Sequence, residues 1–172
     1  MTGGAEAAIH TTRRFLDNLQ PCHAIIKLDF ANLRRDLLLD TVARNIPQLY
    51  RVTLATYRCE PTQVYGNQLI ASREDSQKGY SLSSLEFCKA VHPILNDLNS
   101  DLEVGFIDDL SLSADLPTLA QDVNTIFNAE TYTGLRLNSS KCEIIMEDFS
   151  QLEQFQVFKD FIRVYKDHMT LL

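Results

Sequence analysis

No run in this 172-residue chain stays apolar for long enough to cross a bilayer. The opening stretch MTGGAEAAIHTTRRFLD has no apolar core followed by a cleavage site, so neither an anchor nor a secretory leader is read from it. The expectation is a soluble, intracellular protein. Cysteine is sparse and scattered. Cys22, Cys59, Cys88 and Cys142 stand singly, without the close pairs of a zinc site or the density of a disulfide-stapled scaffold, and are expected to be unpaired, mostly buried thiols. Basic residues are the minority, 16 Lys and Arg against 23 Asp and Glu, for a formal charge of −7. That is the wrong sign for gripping a phosphate backbone by bulk electrostatics, so a nucleic-acid partner would need help from elsewhere. Internal repeats, linkers and low-complexity tracts are absent as well.

What is present is ordinary globular material, 45% hydrophobic and 23% charged, in a length that fits one domain with its own core. Residues 4–19 read as an amphipathic helix with Ala8, Ile9, Phe15, Leu16 and Leu19 on one side, ended by Pro21. HAIIKLDF follows as a strand suited to the middle of a sheet, with Asp29 near its end. Helical spacing returns over 33–46 and, beyond Pro47, over 48–57. TQVYGNQLIAS carries the Gly-Asn turn of a hairpin. Leu82, Leu85, Cys88, Val91, Leu95 and Leu98 form a helical stripe through Pro93, which should bend it. EVGFIDDLSLSA reads as a second hairpin, Asp115 and Pro117 open a helix that Gly134 closes, and LRLNSSKCEIIM ends in a strand. The tail from Gln151 is strand or mixed. Strands and helices without strict alternation point to an α+β layer, helices on one face of a mainly antiparallel sheet.

The pair Asp108-Asp109 is the only charged break in GFIDDLSL. Two readings of it stand side by side. Aspartate is favoured in turns for its own backbone hydrogen bonds, which is sufficient reason for the pair. Alternatively, if the strand ending in Asp29 neighbours this hairpin, three carboxylates converge. Such a cluster raises at least one pKa unless cations sit among the acids. Mg²⁺ suits it, being held by one or two carboxylates together with water and substrate phosphate oxygens.

KLDF at 27–30, GYSLSSLEF at 79–87, FIDD at 106–109 and GLRLNSSKCE at 134–143 occur in an order and spacing that resemble reverse transcriptases, most of all those of the non-LTR retroelement type. The opening GGAEAAIHTTRRFL resembles the stretch those enzymes carry before their first catalytic strand, so the resemblance covers nearly the whole chain. It implies a palm-like antiparallel sheet backed by helices on one face, with residues 1–172 forming a single palm domain that lacks most of the fingers and the thumb. It implies that Asp29, Asp108 and Asp109 hold two Mg²⁺ ions, with Mn²⁺ as a substitute, for nucleotidyl transfer to a primer 3′-hydroxyl. Lys141 falls where the family places a cation near the leaving pyrophosphate, although an exposed lysine before a strand is the plainer reading. Gly79 and Phe30 would lie against the nucleotide. RNA template, DNA primer and deoxynucleoside triphosphates are the implied partners.

Three departures accompany the resemblance. After FAN the chain runs straight into LRRD, about four residues short of the family pattern, which removes an aromatic gate and, at about 100° per helical residue, alters the register of the next helix. Lys78, Gly79, Tyr80 and Ser81 stand where the family has Gln-Gly-Asp-Pro; Tyr80 either crowds the template-nucleotide pocket or faces solvent. The basic fingers and thumb are missing, in keeping with the acidic composition. The expectation is a truncated, catalytically impaired polymerase domain. The alternatives are a non-catalytic palm remnant acting at most in metal binding or protein contacts, and a ferredoxin-like interaction domain with an acidic turn.

Overall fold

A computed structural model of the chain describes residues 4–31, 33–58, 62–71, 81–106 and 109–168. These residues fall into two compact units. The first comprises Met1–Phe30, Asp97–Asn128 and Leu137–Leu172, and the second Ala31–Asn96 and Ala129–Arg136.

In the first unit, α1 (Gly4–Asp17) turns Ala8, Ile9, Thr12, Phe15 and Leu16 inward, the stripe that the helical period demands. The chain then enters β1 (His23–Ala31), where Ala24, Ile25, Ile26 and Leu28 are buried. Burial of consecutive residues means that both faces of this strand are covered, as expected of a central position. Its neighbours are β5 (Asp109–Asp115) on one side and β7 (Glu143–Met146) on the other, and the sheet order is β4 (Leu102–Phe106), β5, β1, β7, β8 (Ile162–Tyr165). A two-residue strand, β6 (Arg136–Leu137), also pairs with β1. The class is α+β, as the sequence pattern indicates.

The sheet is antiparallel from β4 through β7, but β7 and β8 run parallel. The parallel pair is possible because residues 147–161, with short 3₁₀ turns at Leu152–Gln154 and Gln156–Phe158, carry the chain back before β8 begins. The tail is therefore mixed, with its one strand at the sheet edge. On the face of β1 that holds Ile25, a cluster of Leu19, Ile25 and Ile145 packs with Leu16 and Val164. Two and four residues further along this same face stand Lys27 and Asp29, so the face passes from apolar to charged along one strand.

The helix α5 (Leu116–Thr133) begins where β5 ends, and Leu119, Val123 and Ile126 are among its buried residues. Asp115 stands at its N-cap: Oδ1 accepts the backbone N–H of Thr118 at 2.9 Å. Hydrogen bonding from the Thr118 side chain first, then from this backbone N–H, with a smaller contribution from the nearby His23 ring, holds the Asp115 carboxyl below its ordinary pKa. A depressed carboxyl pKa contributes stability above the unfolded-state pKa, and the contribution is lost as pH falls through the folded value. Asp115→Ala is expected to lower stability by about 1 kcal/mol at neutral pH. In urea unfolding the deficit should shrink as pH drops below the ordinary aspartate range; a deficit independent of pH would contradict this.

The second unit holds α2 (Arg35–Asn45), α3 (Tyr50–Tyr57), the hairpin β2 (Thr62–Tyr65) and β3 (Gln68–Ala71), and α4 (Ser83–Leu95). Gly66 turns the hairpin at φ +59°, the left-handed conformation that the Gly-Asn dipeptide accommodates. In α4 the structure departs from the predicted stripe. Val91 and Leu98 are buried as the stripe requires, but Leu85 and Cys88 are exposed, while Glu86, Phe87, Ala90 and Ile94 are buried, a rotation of about one residue over the first turns of the helix. The reason is Glu86, fully buried and counted as polar in any periodicity reading. The Thr53 hydroxyl donates to its Oε1 at 2.7 Å and the Tyr57 hydroxyl to its Oε2 at 3.3 Å, which makes the charged residue part of the interior. Pro93 lies within α4, which continues through it.

Candidate functional site

Asp29 and Asp109 are register partners on the antiparallel strands β1 and β5. Directly opposed residues of such a pair have Cβ atoms about 4.5–5.5 Å apart on one face, a spacing at which like charges repel. The next pair on the same face is Lys27 with Ser111, and Lys27 is also opposite Glu143 of β7. These side chains and Lys141 line an open cleft of about 250 Å³. Three carboxylates and two ammonium groups thus share its walls.

The two lysines offset part of the negative charge. Lys141 Nζ stands 3.8 Å from Asp29 Oδ2, and Lys27 Nζ stands 3.5 Å from Glu143 Oε2. Both pairs are partly solvent-exposed, so each contributes little stability. Their consequence is chemical: cations are already present where an anionic substrate would approach.

The backbone of Asp29 is held from both sides by the segment that carries Lys141. Its carbonyl accepts the Asn138 N–H at 2.9 Å, and its N–H donates to Cys142 Sγ at 3.4 Å. Between these anchors the chain makes a tight turn in which the N–H groups of Lys141 and Cys142 both donate to the Asn138 carbonyl. Lys141 is delivered to Asp29 by this turn. Cys142 is buried, and burial pushes its thiol up to about 11, so it stays protonated and serves as a packing group and weak acceptor. Its position in the sequence, next to Lys141, was the available signal for this role, but a single cysteine carries no indication of a partner 113 residues away.

Of the other residues singled out in the sequence, Phe30 follows Asp29 on the strand and so faces the opposite side of the sheet; it is half-buried and does not line the cleft. Asp108 and Gly79 lie outside the described residues, as does Tyr80. Cys142 fits the expectation of a buried thiol, whereas Cys22 and Cys88 are exposed: Cys22 sits in the turn before β1, and Cys88 is on the side of α4 that the Glu86 contacts turn outward. Sequence reading missed Lys27, Ser111 and Glu143, because alternation along each strand marks them only as polar, and their meeting depends on register.

Among the described residues there is no group of three or more His, Cys, Asp and Glu side chains placed to hold a metal ion by themselves. The donor set nevertheless suits Mg²⁺ in its usual protein setting, one or two carboxylates with the remaining positions left to water and phosphate oxygens. The opposed pair Asp29 and Asp109 supplies carboxylates of that number.

No protein-family model matches the chain. No curated protein matches it either. Among solved structures, it is similar to apo telomerase from Candida Tropicalis truncated from the C-terminal domain, at 14% identity and a TM-score of 0.46. The match covers 81% of this chain and 34% of the telomerase chain, so the chain spans about a third of the length of that neighbour. No helix among the described residues is long and apolar enough to cross a membrane.

Proposed function

We propose that the chain is the palm-type domain of a reverse transcriptase, of the non-LTR retroelement type that its four motifs resemble, with its site in the cleft between β5, β1 and β7. The observation that carries this reading is the register pairing of Asp29 with Asp109. Two motif aspartates far apart in sequence stand opposite each other on adjacent strands, beside two lysines. In this reading Asp29 and Asp109, with Asp108 next in sequence, hold Mg²⁺ or Mn²⁺. When bound, the metal neutralises the carboxylates and stabilises charge on the phosphate oxygens during attack by a primer 3′-hydroxyl on a deoxynucleoside triphosphate. Lys141, whose Nζ stands 3.8 Å from Asp29 Oδ2, is the group that would meet a developing phosphate charge. Asn138 and Cys142 keep Asp29 in place by fixing its backbone.

Turnover by this chain is expected to be weak. With an excess of seven negative charges it has little means of holding an RNA template and DNA primer, and the residues after FAN and around Tyr80 depart from the pattern of active enzymes. A second reading, a non-catalytic palm remnant that binds metal or protein, is favoured by the Lys141–Asp29 and Lys27–Glu143 pairs, which offset the acids without any ion.

Thermal melts with and without Mg²⁺ test the site itself. At a concentration tenfold above its dissociation constant, the ion should stabilise the parent by about 1.4 kcal/mol. Asp29→Asn with Asp109→Asn should remove that gain. Equal stabilisation of the double variant would eliminate the cleft as the metal site. Extension of a labelled DNA primer on an RNA template then separates the two readings. Extension that Asp109→Asn abolishes supports the polymerase, while metal binding without extension under either Mg²⁺ or Mn²⁺ supports the remnant.

A further inference from the structure

At the end of β1 opposite to Asp29, three side chains make a line of polar contacts that the cleft does not use. Cys22 Sγ lies 3.4 Å from His23 Nδ1. On the other side of the ring, His23 Nε2 lies 3.6 Å from Asp101 Oδ2, in the segment leading into β4. Asp115, the register partner of His23 at the end of β5, adds a second negative charge that the ring feels. The order is therefore thiol, imidazole, carboxylate.

Each contact has a chemical consequence. A carboxylate beside Nε2 favours the tautomer with its proton on that nitrogen, leaving the Nδ1 lone pair toward the thiol. Sγ can then pass its proton to Nδ1, and Asp101 and Asp115, the charged groups facing the ring, stabilise the imidazolium that results. Thiolate is the reactive form of cysteine, so a base placed in this way activates it. Cys22 is also exposed, which lets a co-reactant reach it without any opening of the fold. Cys142 is the opposite case, buried and held protonated.

We propose that Cys22 is a base-assisted thiol that undergoes exchange with small-molecule disulfides and carries the product as a mixed disulfide. In the step, Sγ transfers its proton to His23 Nδ1 and forms a bond to one sulfur of the incoming disulfide. The sulfur–sulfur bond of the disulfide breaks, and the departing thiolate takes the proton from His23. Cys22 is oxidised, the departing thiol is reduced, and no further electron acceptor is required. The site is independent of the cleft and of any polymerase activity.

The test follows mass gain of the intact protein with oxidised glutathione near neutral pH, in a Cys59→Ser, Cys88→Ser background that leaves Cys22 as the accessible thiol. An unassisted thiol is only a few per cent thiolate at that pH, so His23→Gln should slow the adduct by about tenfold. Asp101→Asn should give a smaller fall in the same direction. Should His23→Gln prove unfolded by circular dichroism, the Asp101 variant decides, since that side chain is 61% exposed and its replacement leaves the fold intact. Rates for both variants within twofold of the parent would overturn the proposal, as would an adduct that survives Cys22→Ser.

Discussion

Glu86→Ala is expected to lower the stability of the protein by about 3 kcal/mol, through the cavity it leaves and the two buried hydrogen bonds it removes. Glu86 is fully buried on α4, and the hydroxyls of Thr53 and Tyr57, both buried on α3, donate to its two carboxylate oxygens. The guanidinium of Arg35 stands 5.4 Å over the Tyr57 ring, so the cluster joins three helices of the second unit. Removing the carboxylate takes the Oε1 acceptor from the buried Thr53 hydroxyl and breaks the contact with the Tyr57 hydroxyl. Glu86→Gln separates hydrogen bonding from charge. An amide keeps an acceptor for Thr53 and presents a donor to the Tyr57 oxygen, so this variant should stay within about 1 kcal/mol of the parent. Urea unfolding at fixed pH gives both values. A small loss in the alanine variant would mean that the cluster contributes little, and equal large losses in both variants would mean that the charge itself is required.

Gly134→Ala should cost about 2–4 kcal/mol, for two reasons that act together. Gly134 ends α5 at φ +70°, a left-handed conformation in which its N–H donates to the Glu130 carbonyl at 2.7 Å. An added Cβ would also stand 2.6 Å from Arg34 Cγ and 3.2 Å from Cδ. The Arg34 main chain is fixed by its N–H donating to the Thr133 carbonyl at 3.0 Å, so relief requires its stem to swing outward and disturb the guanidinium's pairing with Asp36. Gly134→Asn discriminates between the two causes. Asparagine tolerates positive φ better than alanine but brings the same Cβ, so a loss close to that of alanine identifies the contact with Arg34 as dominant. Full recovery with asparagine would assign the cost to backbone conformation alone.

The contrast between these two positions shows what could be read from the amino-acid order. Gly134 was legible as a helix stop because a C-terminal glycine is a local signal, decided by the conformation of one residue and the helix before it. The same holds for Gly66-Asn67 and its hairpin, for the helical stripe of α1, and for the largely apolar run of β1 that suits a central strand. Glu86 was illegible for the opposite reason. Its burial depends on hydroxyls supplied by another helix, and periodicity within α4 placed the interior one residue away from where it lies. Lys27, Ser111 and Glu143 are in the same position as Glu86, since polar residues on a strand reveal neither their partners nor whether they face a cleft.

By itself the sequence determined the element order and the α+β class, because turn chemistry and periodicity act between residues close along the chain, while the aspartates and lysine worth testing were marked by the ordered motifs and their resemblance. Only the tertiary structure decided that Asp29 faces Asp109, that Asn138 and Cys142 clamp the backbone of Asp29, and that β8 joins the sheet parallel to β7. Those outcomes come from burial and hydrogen bonding summed over segments far apart in sequence, and strand register, which a one-residue slip would invert, is set by that sum.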